Sequence, residues 1–183
     1  MVIAFIPVRG GSKSIPLKNI KPFCDKPLVF WNISALQQTV AVDRIVVATD
    51  SDEIERVVMA FRFDKVEIFR RSEENASDTA STESVMLEYI QYAKLNPNIT
   101  FILAQATSPL TESTHFAEAL EIYKTGDYDS MLTCVRNKRF FWSALGESLN
   151  YDYHHRPRRQ EFDGESMKNG AFYISTVGII LEG

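Results

Sequence analysis

Short apolar runs alternate with amphipathic segments along most of the chain. Five such runs predict strands, at 1–8, 44–49, 66–70, 100–104 and 130–135. The first carries apolar side chains on both faces, as a strand buried inside a sheet does, and the second is also predicted to be buried. Apolar residues recur at helical spacing between these runs, at 26–39, 54–61, 82–95 and 114–125. This alternation predicts right-handed βαβ units in a Rossmann-like α/β fold, a three-layer sandwich with a mostly parallel sheet.

The regular pattern ends near Arg136. Residues 137–168 are polar, aromatic and basic without a clear period, and the apolar segment 170–175 predicts a strand that returns to the sheet. A long irregular segment inside a compact domain is usually functional or reaches a partner. We therefore expect a single domain over 1–183 in which 137–168 contacts a substrate or a partner.

The composition narrows the classes of protein that remain. The chain has 183 residues, 45% of them hydrophobic, and its 20 Lys and Arg against 24 Asp and Glu give a net charge of −4. A domain of this size buries a full core without disulfides, and Cys24 and Cys134 lack the spacing of a zinc site, so we expect reduced, partly buried thiols. An acidic balance argues against duplex nucleic acid as a partner.

Neither a secretory signal nor a membrane span is indicated. Arg9 interrupts the first apolar run, and no run approaches the roughly 20 residues that cross a bilayer. The sequence therefore predicts a cytoplasmic protein with neither a membrane nor nucleic acid as its partner.

A basic loop with two glycines follows the first strand. Gly10 and Gly11 let the backbone approach a ligand closely, with its amides toward an oxyanion. The loop also holds three cations and two neutral hydrogen-bonding side chains: Arg9, Lys13, Lys18, Ser12 and Asn19. Its spacing is neither that of a P-loop nor GxGxxG. The combination suits a triphosphate, and the alternative is a basic surface loop with a glycine turn.

Polar side chains also follow the next three strands. Asp50 and Asp52 end the second strand, where Mg²⁺ or a ribose could bind, although a helix N-cap is the favoured role for at least one of them. Arg71 ends the third strand and Gln105 the fourth. Ligands of open α/β sheets bind outside the carboxyl ends of the strands. Four polar strand ends that converge on one edge therefore predict a ligand site there.

A second basic cluster lies at 154–161, inside the irregular segment. Aromatic residues at 140–142, 151 and 153 lie near it in the chain, an interleaving that also occurs in proteins that bind single-stranded nucleic acid. The acidic chain and the short length of the cluster argue against that alternative. Arginine also binds a carboxylate or a phosphate through two parallel hydrogen bonds, which is the role that we expect here.

Motifs spread over most of the chain resemble those of the acylneuraminate cytidylyltransferases, the CMP-sialic acid synthetases. They lie at 7–19, 48–54, 76–81, 105–110, 156–165 and 169–174. The resemblance implies a nucleotide-diphospho-sugar transferase-like fold. It implies transfer of CMP from CTP to the anomeric hydroxyl of a sialic or related nonulosonic acid, with release of pyrophosphate and a requirement for Mg²⁺. It also implies a homodimer in which 137–168 is a dimerisation arm that reaches the partner's site.

The resemblance assigns roles to individual residues. The nucleotide-binding residues that it implies follow the first, third and fourth strands: Arg9, Gly10, Gly11, Ser12, Lys13, Lys18, Asn19, Arg71, Ser77, Asp78 and Gln105. Of these, Arg9 and Lys18 are expected to be catalytic, because they would stabilise charge on the departing pyrophosphate. The acceptor sugar acid is expected to contact Gln105, Lys138, Arg139, Arg159 and Tyr173.

Two departures from the family pattern qualify these expectations. Thr111 follows the Ser-Pro-Leu motif, where the family usually has arginine. The family continues into a tail with a Mg²⁺-binding aspartate pair, whereas no aspartate follows Ser175 here, so the metal ligands are unassigned and we expect an incomplete metal site. Two alternatives remain open: another sugar nucleotidyltransferase of the same fold, and a non-catalytic nucleotide-binding module.

Overall fold

The computed structural model describes residues 1–11, 15–77 and 80–182. The strands are β1 (Val2–Pro7), β2 (Pro22–Phe23), β3 (Lys26–Pro27), β4 (Arg44–Thr49), β5 (Val66–Arg70), β6 (Thr100–Ala104), β7 (Ser130–Asn137) and β8 (Glu165–Thr176). The α-helices are α1 (Leu28–Gln38), α2 (Asp52–Met59), α3 (Glu73–Ala76), α4 (Thr82–Tyr92), α5 (Ser113–Thr125) and α6 (Val177–Glu182). A 3₁₀ helix spans Lys18–Ile20.

The main sheet has six strands in the order β5-β4-β1-β6-β8-β7. β1 pairs in parallel with β4 on one side and β6 on the other, and β4 pairs in parallel with β5. β8 returns antiparallel to β6, with Ile174 opposite Ile102. The predicted mostly parallel sheet is therefore confirmed, as is the predicted returning strand.

Both faces of the sheet are covered by helices. On one face, the core contains Val29 and Ile33 of α1 and Phe116 of α5. On the other face, Tyr89 of α4 and Val177 of α6 belong to a second cluster. β1 contributes side chains to both clusters, which is why its sequence is apolar at every position rather than at alternate ones. This arrangement is the predicted three-layer sandwich.

The predicted cap of α2 is wrong. Ser51 caps the helix, and its side chain accepts a hydrogen bond from the Ile54 amide at 3.4 Å. Asp50 is engaged elsewhere, because its Oδ1 accepts a hydrogen bond from the Gly10 amide at 2.9 Å. Asp52 is the first residue of the helix itself. Asp50, which follows β4, thus bonds to the loop after β1 and does not cap the helix that follows β4.

Four short elements, β2, β3, α3 and α6, were not expected from the sequence. β2 and β3 form a small hairpin, in which Cys24 and Asp25 both have positive φ, as a two-residue type I′ turn requires. α3 and α6 are too short for helical periodicity to be visible.

Both cysteines are free and exposed, so the expectation of partly buried thiols is wrong.

The chain divides into two compact units, one of residues 1–132 and 170–183 and the other of Thr133–Asn169. The second unit contains the segment 137–168 that lacks periodicity. Its aromatic residues pack on one another: the Phe140 ring lies 4.2 Å from that of Tyr151 and 5.0 Å from that of Phe162. No helix among the described residues is long and apolar enough to cross a membrane.

A substitution at Phe5 tests how far the free energy of unfolding depends on packing around β1. It is fully buried, and its ring lies 5.5 Å from those of Tyr89 and Phe101. We expect Phe5→Ala to lower the free energy of unfolding by about 3–5 kcal/mol in a urea titration, because the substitution leaves a cavity in a packed core. Val40→Ala is the control, since Val40 is 94% exposed, and it should leave the unfolding midpoint unchanged. Equal losses for the two variants would contradict this account of the core.

Candidate functional site

A cavity of about 310 Å³ opens at the carboxyl edge of the parallel strands. Its lining comes from the segments that follow β1, β5 and β6 and from the start of α4: Pro7, Arg9, Lys18, Asn19, Arg71, Ser77, Ala80, Ser81, Thr82, Val85, Gln105, Ala106 and Thr107. The structure therefore brings together the predicted residues Arg9, Lys18, Asn19, Arg71, Ser77 and Gln105. Convergence on one edge is the outcome that parallel strand pairing dictates.

The start of the glycine loop is fixed by the neighbouring strand. The Gly10 amide donates to Asp50 Oδ1, as described above, and the Val8 amide donates to the Ala48 carbonyl at 2.9 Å. A Cβ atom placed on Gly10 would lie 3.0 Å from Cβ of Ser51, which is tighter than ordinary packing. Glycine at position 10 thus permits the close approach of this loop to the start of α2.

Asn19 holds the same loop from the other side. It is buried, and its Nδ2 donates to the Arg9 carbonyl at 3.3 Å. Lys18 precedes it in the 3₁₀ helix, which Leu17 enters with a left-handed φ of 52°. The hydrogen bond ties Lys18 and Arg9, nine positions apart, to one wall of the cavity. The side-chain amide of Asn19 thus bonds to the backbone, while Arg9 and Lys18 contribute positive charge to the cavity.

Arg71 is a half-buried cation of the cavity, as are Arg9 and Lys18. Its Nε donates to the Ala48 carbonyl at 3.0 Å, and its own amide donates to the Thr49 carbonyl. Burial lowers the pKa of the Arg71 guanidinium, the Asp50 carboxylate raises it, and the neighbouring positive charge of Arg9 lowers it. Arg71 is thus a poorly solvated cation beside a second positive charge, and such a place favours binding of an anion.

The segment between Arg71 and Ser77 is held against α4 by one carboxylate. Glu88 Oε1 accepts from the Ser72 amide at 2.9 Å, and Glu88 Oε2 accepts from Asn75 Nδ2 at 2.8 Å. The Glu88 charge also raises the pKa of Arg71. Two walls of the cavity, the loop after β5 and the start of α4, are therefore joined.

Other predicted site residues are not part of the described lining of this cavity. Ser12, Lys13 and Asp78 fall outside the described residues. Tyr173 is half-buried on β8, opposite Leu103 of β6. Gly11 follows Gly10 in the loop, and a Cβ atom placed on it would meet no atom of the described residues within 4 Å.

The second unit has a cavity of its own, of about 780 Å³. Basic side chains dominate its lining: Lys138, Arg139, Phe140, Arg156, Pro157, Arg158 and Arg159. The Arg156 guanidinium lies over the Phe140 ring, 5.0 Å from its centroid. Predicted acceptor residues Lys138, Arg139 and Arg159 thus share one cavity, and Arg156 and Arg158 join them.

The sequence reasoning missed the contribution of α4. Ser81 caps this helix by accepting from the Ser84 amide at 3.0 Å, and Ser81, Thr82 and Val85 line the cavity beside Arg71. A signal was available: in a parallel sheet, the helix after a strand begins at the same edge where that strand ends.

A resident Mg²⁺ does not fit the described residues. Across 1–11, 15–77 and 80–182, no three His, Cys, Asp or Glu side chains are grouped so that they could hold a metal ion. The described lining of the first cavity offers cations, hydroxyls and amides, and no carboxylate. Mg²⁺ prefers carboxylate and phosphate oxygens together with water.

Curated relatives resemble this chain over nearly its whole length. It is 38% identical to the N-acylneuraminate cytidylyltransferase of Oncorhynchus mykiss over 190 aligned positions, which cover 100% of this chain and 43% of the relative. It is 30% identical to the N-acylneuraminate cytidylyltransferase of Streptococcus agalactiae serotype III over 187 positions, 94% of this chain and 43% of the relative. The chain thus spans about two fifths of the length of these relatives.

Solved structures share the fold. A CMP:2-keto-3-deoxy-manno-octonic acid synthetase complexed with CTP superposes with a TM-score of 0.70 at 19% identity, covering 99% of this chain and 76% of the other. A 2-C-methyl-D-erythritol 4-phosphate cytidylyltransferase from Francisella tularensis gives 0.65 at 15% identity, covering 97% and 73%. At such identities the likeness shows the three-layer fold alone.

The cytidylyltransferase family model matches residues 3–170, from the first strand of the sheet to the last. This range includes all three strand ends that line the first cavity. The chain therefore belongs to the cytidylyltransferase family.

Proposed function

We propose that this protein transfers CMP from CTP to the anomeric hydroxyl of a sialic or related nonulosonic acid, with release of pyrophosphate. Membership of the family supports the nucleotide, and the names of the curated relatives support the acceptor class. The observation that carries the proposal is the cavity in which Arg9, Lys18 and Arg71 meet at the strand ends.

The electrostatics of that cavity favour a polyphosphate. Arg71 is held to a backbone carbonyl and lies near a second arginine, so an anion that enters relieves repulsion as well as gaining attraction. A triphosphate carries several negative charges and accepts charge-assisted hydrogen bonds from guanidinium groups. The loop amide of Gly11 suits the same ligand, whereas the Gly10 amide already donates to Asp50.

The reaction needs positioning and charge stabilisation more than covalent chemistry. The sugar oxygen forms a bond to the α-phosphorus, the bond from that phosphorus to the bridging oxygen breaks, and pyrophosphate leaves with the electron pair. The sugar hydroxyl gives up its proton to solvent water. Arg9 and Lys18 are the proposed catalytic residues, since cations beside the leaving group stabilise the charge that develops there.

The remaining nucleotide contacts are proposals from the same cavity and loop. Arg71, Ser77 and Gln105 are proposed to contact the nucleotide, and Asn19 to act both on it and on the loop that carries Arg9. Ser12, Lys13 and Asp78 stay predictions based on the resemblance.

The acceptor is proposed to meet the basic cavity of the second unit. A nonulosonic acid carries a carboxylate, and the planar guanidinium of arginine matches it with two parallel hydrogen bonds. Lys138, Arg139 and Arg159 are the proposed acceptor residues in this unit. Gln105 and Tyr173 stay predictions for the same role.

Mg²⁺ is proposed to enter as part of the nucleotide substrate, bound to the phosphates of CTP. Mg²⁺ is often held in this way, with most of its ligands from phosphate and water. A homodimer through 137–168 and a cytoplasmic location stay predictions.

The direct test is a calorimetric titration of CTP with Mg²⁺ into the chain, with ATP, GTP and UTP as controls. We expect selective binding of CTP and, with a sialic-type acid present, release of pyrophosphate. Binding without pyrophosphate release would favour the non-catalytic nucleotide-binding module. Equal binding of all four nucleotides, or of none, would contradict the proposal.

Two adjacent arginines provide a matched pair of variants. Arg71 lines the cavity, whereas Arg70 is exposed and ion-paired with Asp52 and Glu55. We expect Arg71→Gln to weaken CTP binding about tenfold to a hundredfold, the range for a lost charged hydrogen bond. Arg70→Gln should leave the affinity unchanged, since exposed ion pairs contribute little. Equal losses in the two variants, measured by the same titration, would count against the assigned cavity.

The two loop glycines separate ligand contact from folding. Because a Cβ atom on Gly11 would meet no atom of residues 1–11, 15–77 or 80–182 within 4 Å, we expect Gly11→Ala to leave the urea unfolding midpoint unchanged and to weaken CTP binding through contact with the ligand. Gly10→Ala should lower the unfolding midpoint, because its Cβ would press on Ser51. Unaltered CTP affinity in Gly11→Ala would show that the phosphates do not approach this amide.

A further inference from the structure

The segment after β6 forms one wall of the first cavity, through Gln105, Ala106 and Thr107. Its upstream end is fixed by the sheet, because the Gln105 amide donates to the Ala171 carbonyl at 2.9 Å. Downstream, the Ser108 amide donates to the Gln105 carbonyl at 3.0 Å and closes a turn. A contact that fixes the position of Ser108 therefore also fixes residues 105–107, which form this wall of the cavity.

Three donors converge on the carbonyl oxygen of Ser108. Asn32 Nδ2 donates at 3.0 Å, Thr111 Oγ1 at 2.9 Å and the Thr111 amide at 3.2 Å. The Thr111 bonds are local to the turn. The Asn32 bond comes from α1, 76 positions earlier in the chain, and ties the turn to the core of the sandwich.

Asn32 is unusual among the buried residues. It is fully buried, and its Oδ1 accepts no hydrogen bond from any of residues 1–11, 15–77 or 80–182. Turning the amide over would place Oδ1 against the Ser108 carbonyl oxygen, so the present orientation is the one that makes a bond. A buried amide oxygen without a donor destabilises the folded state.

An apolar side chain of similar volume would avoid that unsatisfied oxygen, since position 32 lies between the core residues Val29, Ile33 and Leu36 on α1. Residues that lower stability without an evident packing gain are characteristic of functional sites. The gain here is the bond to Ser108.

We propose that Asn32 and Thr111 are positioning residues that fix the Ser108 carbonyl and thereby set the nucleotide-facing conformation of 105–107. The inference rests on the proposed function for the identity of the ligand. Thr111 stands where the family resemblance leads us to expect arginine, and a hydroxyl on this carbonyl is the contribution that it makes instead.

The test uses Asn32→Leu with three measurements: amide hydrogen exchange across 105–111, the urea unfolding midpoint, and CTP affinity. We expect faster exchange at Ser108 and Thr111 and CTP binding weakened about threefold to tenfold, the equivalent of one hydrogen bond. The unfolding midpoint should stay level or rise, because the unsatisfied oxygen is gone. A purely structural role predicts instead a lower midpoint with unaltered affinity.

A second pair of variants addresses the same carbonyl without touching the core. Thr111→Val keeps the shape of the side chain and removes the hydroxyl, and it should reproduce the faster exchange and weaker binding. Thr111→Ser keeps the donor and should restore both. This pair decides the question if Asn32→Leu does not fold.

Thr39→Val is the matched control. Thr39 is a buried polar residue that caps the other end of α1. Its Oγ1 donates to the Ala35 carbonyl at 2.9 Å and to the Ser113 carbonyl, beyond the turn, at 3.4 Å. Its loss should leave exchange at 105–111 and CTP affinity unchanged.

The outcomes separate this inference from the proposed function. If the parent chain does not bind CTP but exchange at 105–111 responds as expected, the proposed function fails and the positioning of the turn stands. If the parent chain binds CTP and neither Asn32→Leu nor Thr111→Val alters exchange or affinity, the inference is overturned.

Discussion

The parallel pairing of β1 with both β4 and β6 is the constraint on which the candidate site depends. It directs the three strands the same way, so the segments that follow them leave the sheet at one edge. Because β1 is buried on both faces, its carboxyl end is fixed by the core rather than by the loop. Arg9 and Gln105 consequently reach one cavity although 96 positions separate them.

Backbone groups, more than carboxylates, hold the cationic side of that cavity in place. Arg71 is anchored on the Ala48 carbonyl, and Asn19 anchors the Arg9 carbonyl. Asp50 and Glu88 are the acids whose charges raise the pKa of Arg71, and Asp50 is also bonded to the Gly10 amide. Arg71 itself is partly desolvated, and in such a place the interaction of a cation with an anion is stronger than in water. Cations held in place by the fold are what the proposed transfer by positioning and charge stabilisation requires.

The strands and the edge that carries the site could be predicted because apolar runs ended abruptly in polar residues. The residue that caps α2 could not be predicted, because Ser51 and Asp50 are adjacent and both suit an N-cap. Asp50 instead accepts a hydrogen bond from Gly10, which follows another strand. The positioning role proposed for Asn32 could not be predicted either, because its partner Ser108 lies 76 positions away in the chain. The second unit carries no periodic pattern. Its basic residues were therefore visible in the sequence, but the cavity that they line was not, because it depends on how the aromatic residues of this unit pack.

The central claim is that the cavity at the strand ends binds the phosphates of CTP. A crystal structure of the chain grown with CTP tests it most directly. The account predicts phosphate oxygens within hydrogen-bonding distance of the Arg71 guanidinium and of the Gly11 amide, with the nucleotide against Gln105. CTP bound at another surface, with the cavity at Arg71 filled only by water, would contradict it.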